Sequence, residues 1–194
     1  MNFKQYLSEK CRKVIEGWEC NPEIYAISFF VYANEDYCYK GNTYFPEFSV
    51  GYNTEKDCDY APSGSEDRWD FALWSQNNEV VINCETEKEA DYLLEWYKEN
   101  GIEATGPEDE NEMYNEEMEY IGKGPVGYYE LLMLVSDIAK ELQDDGTVKN
   151  KYGNIPIIVH ELEYTWCVKK ATQNANPNGE AEDYLCYLTN EIGL

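Results

Sequence analysis

The nine residues Ile24 to Tyr32 (IYAISFFVY) are apolar on both of their alternating sets. Successive side chains of a strand point to opposite faces, so such a strand is stable only when other parts of the chain cover it on both sides. The run is about half the length of a membrane helix, which leaves a buried strand as its reading. Pro46 to Tyr52 (PEFSVGY) alternates Phe48, Val50 and Tyr52 and reads as its neighbour. The polar link from Ala33 to Tyr44 holds Gly41 and Asn42 as turn formers.

Helices supply the cover. Over residues 3–18, Phe3, Tyr6, Leu7, Cys11, Val14, Ile15 and Trp18 recur at helical spacing, leaving Lys4, Glu9, Lys10, Arg12, Lys13 and Glu16 for solvent. Asn2 with Gln5 forms a capping pair at its start, and Asn21-Pro22 stops the chain beyond it. Residues 86–100 form a second helix with a buried stripe of Ala90, Leu93, Leu94 and Tyr97. There Thr86 and Glu89 have capping-box spacing, and Gly101 closes the element. The third helix, 128–142, buries Leu131, Leu132, Val135, Ile138, Ala139 and Leu142.

Other segments are less decided. Arg68 to Trp74 (RWDFALW) is a third strand or a short helical turn, and Glu79 to Asn83 a strand or the approach to a helix. Ile155 to Leu162 (IPIIVHEL) reads as a strand that Tyr164 to Lys169 extends or partners. Asn174 to Gly179 is turn-rich, and Glu180 to Ile192 is a terminal amphipathic helix. The expected fold is therefore α+β, a mainly antiparallel or mixed sheet of four to six strands packed by three to four helices.

Charge bounds the function. The chain carries 39 Asp and Glu against 15 Lys and Arg, a net charge of −24 over 194 residues. Gly101 to Glu119 holds no Lys or Arg, yet contains Glu103, Glu108, Asp109, Glu110, Glu112, Glu116, Glu117 and Glu119. Such a field repels nucleic acid phosphates and anionic lipid and steers basic partners inward. Neither a nucleic acid nor a membrane is an expected partner; a basic protein is. With 18 Tyr, 6 Phe and 5 Trp the chain can build a core, so the charge sits on a folded body. We expect one globular domain over residues 1–194 with an acidic loop at about 103–120, much of it mobile or weakly helical because its like charges repel. In the partner-binding reading, Glu108, Asp109, Glu110, Glu112, Glu116, Glu117 and Glu119 are the contact residues.

Seven scattered cysteines, an odd number, read as reduced thiols of a cytoplasmic protein, several packed as small hydrophobes. The opening MNFKQYLSEK has no apolar run after its basic residues, so no signal peptide is expected.

The candidate chemistry is sparse. His160 is the only histidine and lacks the neighbours of a zinc site or a nucleophilic triad, so its bland role is a strand residue with a satisfied hydrogen bond. Gly122, Gly124 and Gly127 spell G-x-G-x-x-G before a helix. The acidic approach NEEMEYI and Pro125 do not suit a pyrophosphate, so this is not a dinucleotide site. The acidic run lacks the spacing of a calcium loop. No cofactor and no metal are expected. Arg68 sits among Asp67, Trp69 and Asp70, where stacking and pairing with a carboxylate compete with an anion pocket. If the protein acts on a small ligand, an aromatic pocket of Arg68, Trp69, Trp74 and His160 is where it would do so.

IYAISFFVY, PEFSVGYNTE, RWDFALW and a late strand leading to an Asn-Pro and a terminal helix resemble a bacterial family of unknown function of about this length. Such families are similar to acidic immunity proteins encoded beside polymorphic toxins. The run from Glu103 to Glu119 has no counterpart in that pattern. The resemblance implies a non-enzymatic binding protein that neutralises a basic toxin. The alternative from another class is an enzyme or small-ligand binder using the aromatic pocket. The sequence leaves the oligomeric state open.

Overall fold

The computed structural model describes residues 2–194. At its centre a four-stranded mixed sheet runs in the order β5-β4-β1-β6. Strand β1 is Ile24–Tyr32, β4 is Glu47–Thr54, β5 is Glu79–Ile82 and β6 is Ile157–His160. β1 pairs antiparallel with β4, Phe29 opposite Val50, and parallel with β6, Phe29 opposite Val159. A small hairpin, β2 (Cys38–Tyr39) and β3 (Asn42–Thr43), fills the expected link and turns at Lys40-Gly41, both in the left-handed region.

The central strand is covered on both faces, as its apolar alternation requires. On one face Ile27, Phe29 and Val31 pack with Phe48, Val50, Ile157 and Val159 under three helices, α1 (Phe3–Gly17), α3 (Glu87–Glu99) and α4 (Tyr128–Asp144). On the other, Tyr25, Phe30 and Ile158 meet Trp69, Phe71, Trp74, Tyr184 and Tyr187. These come from the short helix α2 (Glu66–Trp69), the 3-10 turn Phe71–Leu73 and the late helix α7 (Glu182–Tyr187). Segment 68–74 is thus helical, the second of its two sequence readings. Its chain direction is set by caps, Ser65 accepting from Asp67 N and Asp70 from Ala72 N. A one-turn helix α5 (Lys149–Tyr152) links α4 to β6.

One local expectation holds and two are corrected. The capping pair at α1 is present, Asn2 and Gln5 each bonding the other's backbone. At α3, however, Thr86 makes no cap bond; its N–H donates to Asn83 Oδ1, and Glu89 instead accepts from Tyr6 Oη and Lys10 Nζ of α1. Long-range pairing outcompetes the local box. Likewise Tyr164 to Lys169 neither extends nor partners β6: the chain turns into α6 (Trp166–Ala175), capped by Thr165. The terminal helix ends as a π turn over Leu188–Ile192.

Helix α6 explains how β6 can lie at the sheet edge and still be buried. Thr172 and Asn176, four residues apart, lie against Ile157 and Val159, two apart on the strand. Val159 N donates to Thr172 Oγ1 at 3.1 Å and Thr172 Oγ1 donates to Val159 O at 3.0 Å. Ile157 N donates to Asn176 Oδ1 at 2.9 Å, and Asn176 Nδ2 donates to Ile157 O at 2.8 Å. The rise of one helical turn is close to that of two strand residues, so two side chains replace the missing neighbouring strand. The edge cannot then recruit another chain.

Candidate functional site

The sequence-nominated pocket residues do come together, as the core of the second face. Arg68 forks onto Glu55, its two terminal nitrogens each 2.7 Å from a carboxylate oxygen, and also donates to Ala61 O at 3.0 Å. Its guanidinium carbon lies 3.9 Å from the centroid of the Tyr25 ring. Pairing with the guanidinium lowers the Glu55 pKa. Trp74 Nε1 donates to the Arg68 carbonyl at 3.1 Å, and Trp69 Nε1 to the Ser63 carbonyl. Both indoles are buried. The positive charge is thereby met inside the protein, and the arrangement fastens the 55–70 excursion to β1.

His160 is 4% exposed, between Phe71 at 4.6 Å and Phe30 at 5.5 Å from ring centroid to ring centroid. Burial lowers its pKa to about 4, so the ring is neutral at pH 7. Nδ1 faces the Glu161 carbonyl at 3.2 Å and Nε2 faces Ser28 Oγ at 2.8 Å. A carbonyl can only accept, so Nδ1 carries the proton and Nε2 accepts from the serine. Neither nitrogen is left over for acid–base work. A cavity of ≈ 30 Å³ beside it, lined by Trp69, Phe71, His160 and Tyr184 among others, has room for little more than a water. Among the described residues, no group of three or more His, Cys, Asp or Glu is placed to hold a metal.

The acidic segment, expected as a mobile loop or a weak helix, is mostly irregular chain with one 3-10 turn, Glu110–Glu112, and one antiparallel bridge. Thr105 anchors its start on the β2–β3 hairpin, donating to Thr43 O and accepting from nothing local, while its N–H reaches Asn42 Oδ1 at 3.1 Å. Val126 N donates to Gly106 O at 2.9 Å and closes the base. Above it the chain forms a hairpin: Ile121 and Gly122 donate to Met113 O, and Tyr114 bridges Tyr120. Asn115 organises the tip, its Oδ1 accepting from Glu117 N and Glu119 N and its Nδ2 donating to Glu119 Oε2. One polar side chain here does what a tight turn sequence would otherwise do.

The nominated carboxylates divide into two kinds. Glu108 turns inward, accepting from Tyr120 Oη at 2.9 Å and Gly124 N at 2.8 Å. Asp109 caps the 3-10 turn Glu110–Glu112 through Asn111 N. Glu108, half-buried, therefore has a structural role that the other acidic residues of the run do not share. Glu110, Glu112, Glu116, Glu117 and Glu119 are exposed. None of the described salt bridges involves them. Between them the tip presents Tyr114 at 49% and Met118 at 76% exposure.

The G-x-G-x-x-G spelling has a structural explanation here. A Cβ at Gly122 would collide with the Glu108 carboxylate, and one at Gly124, φ +76°, would lie 2.7 Å from the Tyr128 ring. Gly122 makes room for the carboxylate that ties down the hairpin, and Gly124 for the Tyr128 ring. Sequence reasoning missed the group beside them. Tyr128, 3% exposed, meets no hydrogen-bond partner at ordinary geometry through its hydroxyl, which lies near the Glu161 carboxyl. Desolvation, opposed by the Tyr128 hydroxyl and aided by Glu163 and Glu108, raises the Glu161 pKa to about 7. Trp166 Nε1 donates to Gly122 O at 2.8 Å beside this group, so the hairpin base rests on the start of α6.

No protein-family model, curated protein or solved structure matches the chain. No described helix is long and apolar enough to cross a membrane.

Proposed function

We propose that the protein is a non-enzymatic binding module whose acidic hairpin, residues 109–121, receives a basic protein partner, and that this partner is a toxin which it neutralises. One observation carries the reading: five exposed carboxylates, with no ion-pair partner, stand on a hydrogen-bonded hairpin that projects Met118 and Tyr114. Carboxylates held apart by an ordered backbone cannot relieve their repulsion by rearranging. A cationic surface relieves it, and the two apolar side chains supply desolvated contact at the centre of the charged ring. The resemblance to acidic immunity proteins supports the toxin as partner, and a cytoplasmic setting suits seven free thiols. The alternative, an enzyme or small-ligand binder built on Arg68, Trp69, Trp74 and His160, is disfavoured because, apart from the unpartnered Arg68 Nε, those side chains spend their polar groups on the fold, and the cavity beside His160 is only ≈ 30 Å³.

The test compares wild type with Glu110→Gln/Glu112→Gln/Glu116→Gln/Glu117→Gln as immobilised bait in lysate of the native host. A basic protein should be retained at about 50 mM salt, released by about 500 mM, and lost from the variant. Expressed alone that protein should arrest growth, and co-expression with wild type should restore it. Retention of the same proteins by the variant, or growth arrest that wild type does not relieve, would overturn the proposal.

A further inference from the structure

Helix α3 carries two aromatic residues outside its fully buried stripe, Tyr92, which is exposed, and Trp96, which is half-buried at the edge of the core. Ala90, Leu93 and Tyr97 make its buried stripe. Tyr92 and Trp96, one turn apart, stand off that stripe and line a groove of ≈ 490 Å³ against α1. The facing wall is Phe3 and Tyr6. Phe3 meets Trp96 with 5.9 Å between ring centroids, and Tyr6 meets Tyr92 edge-on at 5.2 Å. On the rim stand Glu95 and Glu99, exposed and absent from the described salt bridges.

A cation already lies on these rings. Lys88 Nζ is 4.8 Å from the Tyr6 ring centroid and 5.7 Å from that of Tyr92. It has no carboxylate partner among the described salt bridges. The negative face of an aromatic ring attracts a cation, and most strongly a planar one that can stack. Lys88 shows the groove accepting positive charge while its two rim carboxylates remain unpaired.

We propose that the α1–α3 groove binds an arginine side chain of a basic protein, with the guanidinium lying against Trp96 and Tyr92 and its charge met by Glu95 and Glu99. Arginine fits better than lysine because its fork matches a carboxylate while its plane matches a ring. The incoming side chain displaces Lys88 from the Tyr92 ring, the one ring the two cations share. Groove and hairpin share no residue, so this proposal stands without the previous one.

The experiment is a titration of isotope-labelled protein with hexa-arginine, followed through the indole resonance of Trp96, which is assigned from Trp96→Phe. The Trp96 signal should move and saturate. Glu95→Gln/Glu99→Gln should weaken binding about tenfold, and hexa-lysine should bind several-fold more weakly than hexa-arginine. Lys88→Met and Lys98→Met each remove one positive charge from α3, but only Lys88 lines the groove. Lys88→Met should therefore strengthen binding more. An unchanged affinity in the Glu95/Glu99 variant, or equal effects of the two lysine variants, would overturn the proposal. So would loss of all hexa-arginine binding in the four-residue hairpin variant, an outcome that leaves the hairpin reading intact. Melting curves matching wild type certify that each variant is folded.

Discussion

Glu108→Ala separates the carboxylate that builds the acidic hairpin from those that decorate it. The side chain accepts two hydrogen bonds, from Tyr120 Oη and Gly124 N. A bond to a charged acceptor is worth about 1.5–3 kcal/mol when removal leaves its donor unmet. Gly124 N keeps Tyr120 Oη as a second acceptor at 3.1 Å, and both residues are half-buried, so part of this is recovered. The net cost is then about 2–3 kcal/mol, or a fall in melting temperature of roughly 5–10 °C for a chain of this size. The four-residue variant, Glu110→Gln/Glu112→Gln/Glu116→Gln/Glu117→Gln, removes no hydrogen bond formed by those side chains. Relief of self-repulsion should leave its melting temperature equal to or slightly above wild type. Thermal unfolding followed by far-ultraviolet circular dichroism reads both. Hydrogen exchange at the Gly124 and Ile121 amides adds a local readout, since the hairpin can open before the core does. Protection should fall in Glu108→Ala and persist in the four-residue variant. If Glu108→Ala melts within about 1 °C of wild type with its amide protection intact, the structural role assigned to Glu108 is wrong.

Two further outcomes follow from buried groups. Asn176→Ala strips the partners from Ile157 N and O and one of the two acceptors from the Gln143 amide, which donates to Asn176 Oδ1 at 3.0 Å and keeps Ile155 O. It should cost about 3–4 kcal/mol in urea unfolding, and a loss below about 1 kcal/mol would contradict the edge-pairing account. Glu161 has a pKa raised from its ordinary 4.5 to about 7, so the folded state holds its proton more tightly. The stability it contributes is complete below pH 4.5 and is lost as pH rises to 7. Relative to Glu161→Gln, wild type should lose about 2 kcal/mol across that window, measured by urea unfolding at several pH values. His160 acts in the opposite sense: its pKa drops from 6.5 to about 4, so its contribution is lost as pH falls through that range. The comparison with the glutamine variant cancels that slope, and a pH-independent difference would refute the desolvation of the half-buried Glu161 carboxyl.

Elements whose signal lies within a few residues were legible in the chain itself. β1 announced its two-sided burial through apolarity on both alternating sets. α1 was set by helical spacing and the Asn2–Gln5 cap, and α4 by a wide apolar stripe. Those signals need only a turn or a pair of residues to exist, so tertiary structure had little to overrule. The α+β class followed from their order.

Tertiary structure decided the remainder. α6 buries Cys167, Val168, Ala171 and Ala175, mostly small side chains that give little periodic contrast. Its placement depends on Thr172 and Asn176 meeting backbone groups of a strand that lies more than ten residues away. Thr86 and Glu89 have the spacing of a capping box, but Glu89 is drawn to α1 because Lys10 and Tyr6 together offer it more than one backbone amide does. The aromatic run after Arg68 became core because Glu55, distant on the chain, supplied the carboxylate that meets its charge. Net charge was fixed by composition, but which carboxylates face outward was not. Glu108 and Glu110 are two residues apart in one acidic run, and only the positions of Tyr120 and Gly124 in space turn the first inward and leave the second to solvent.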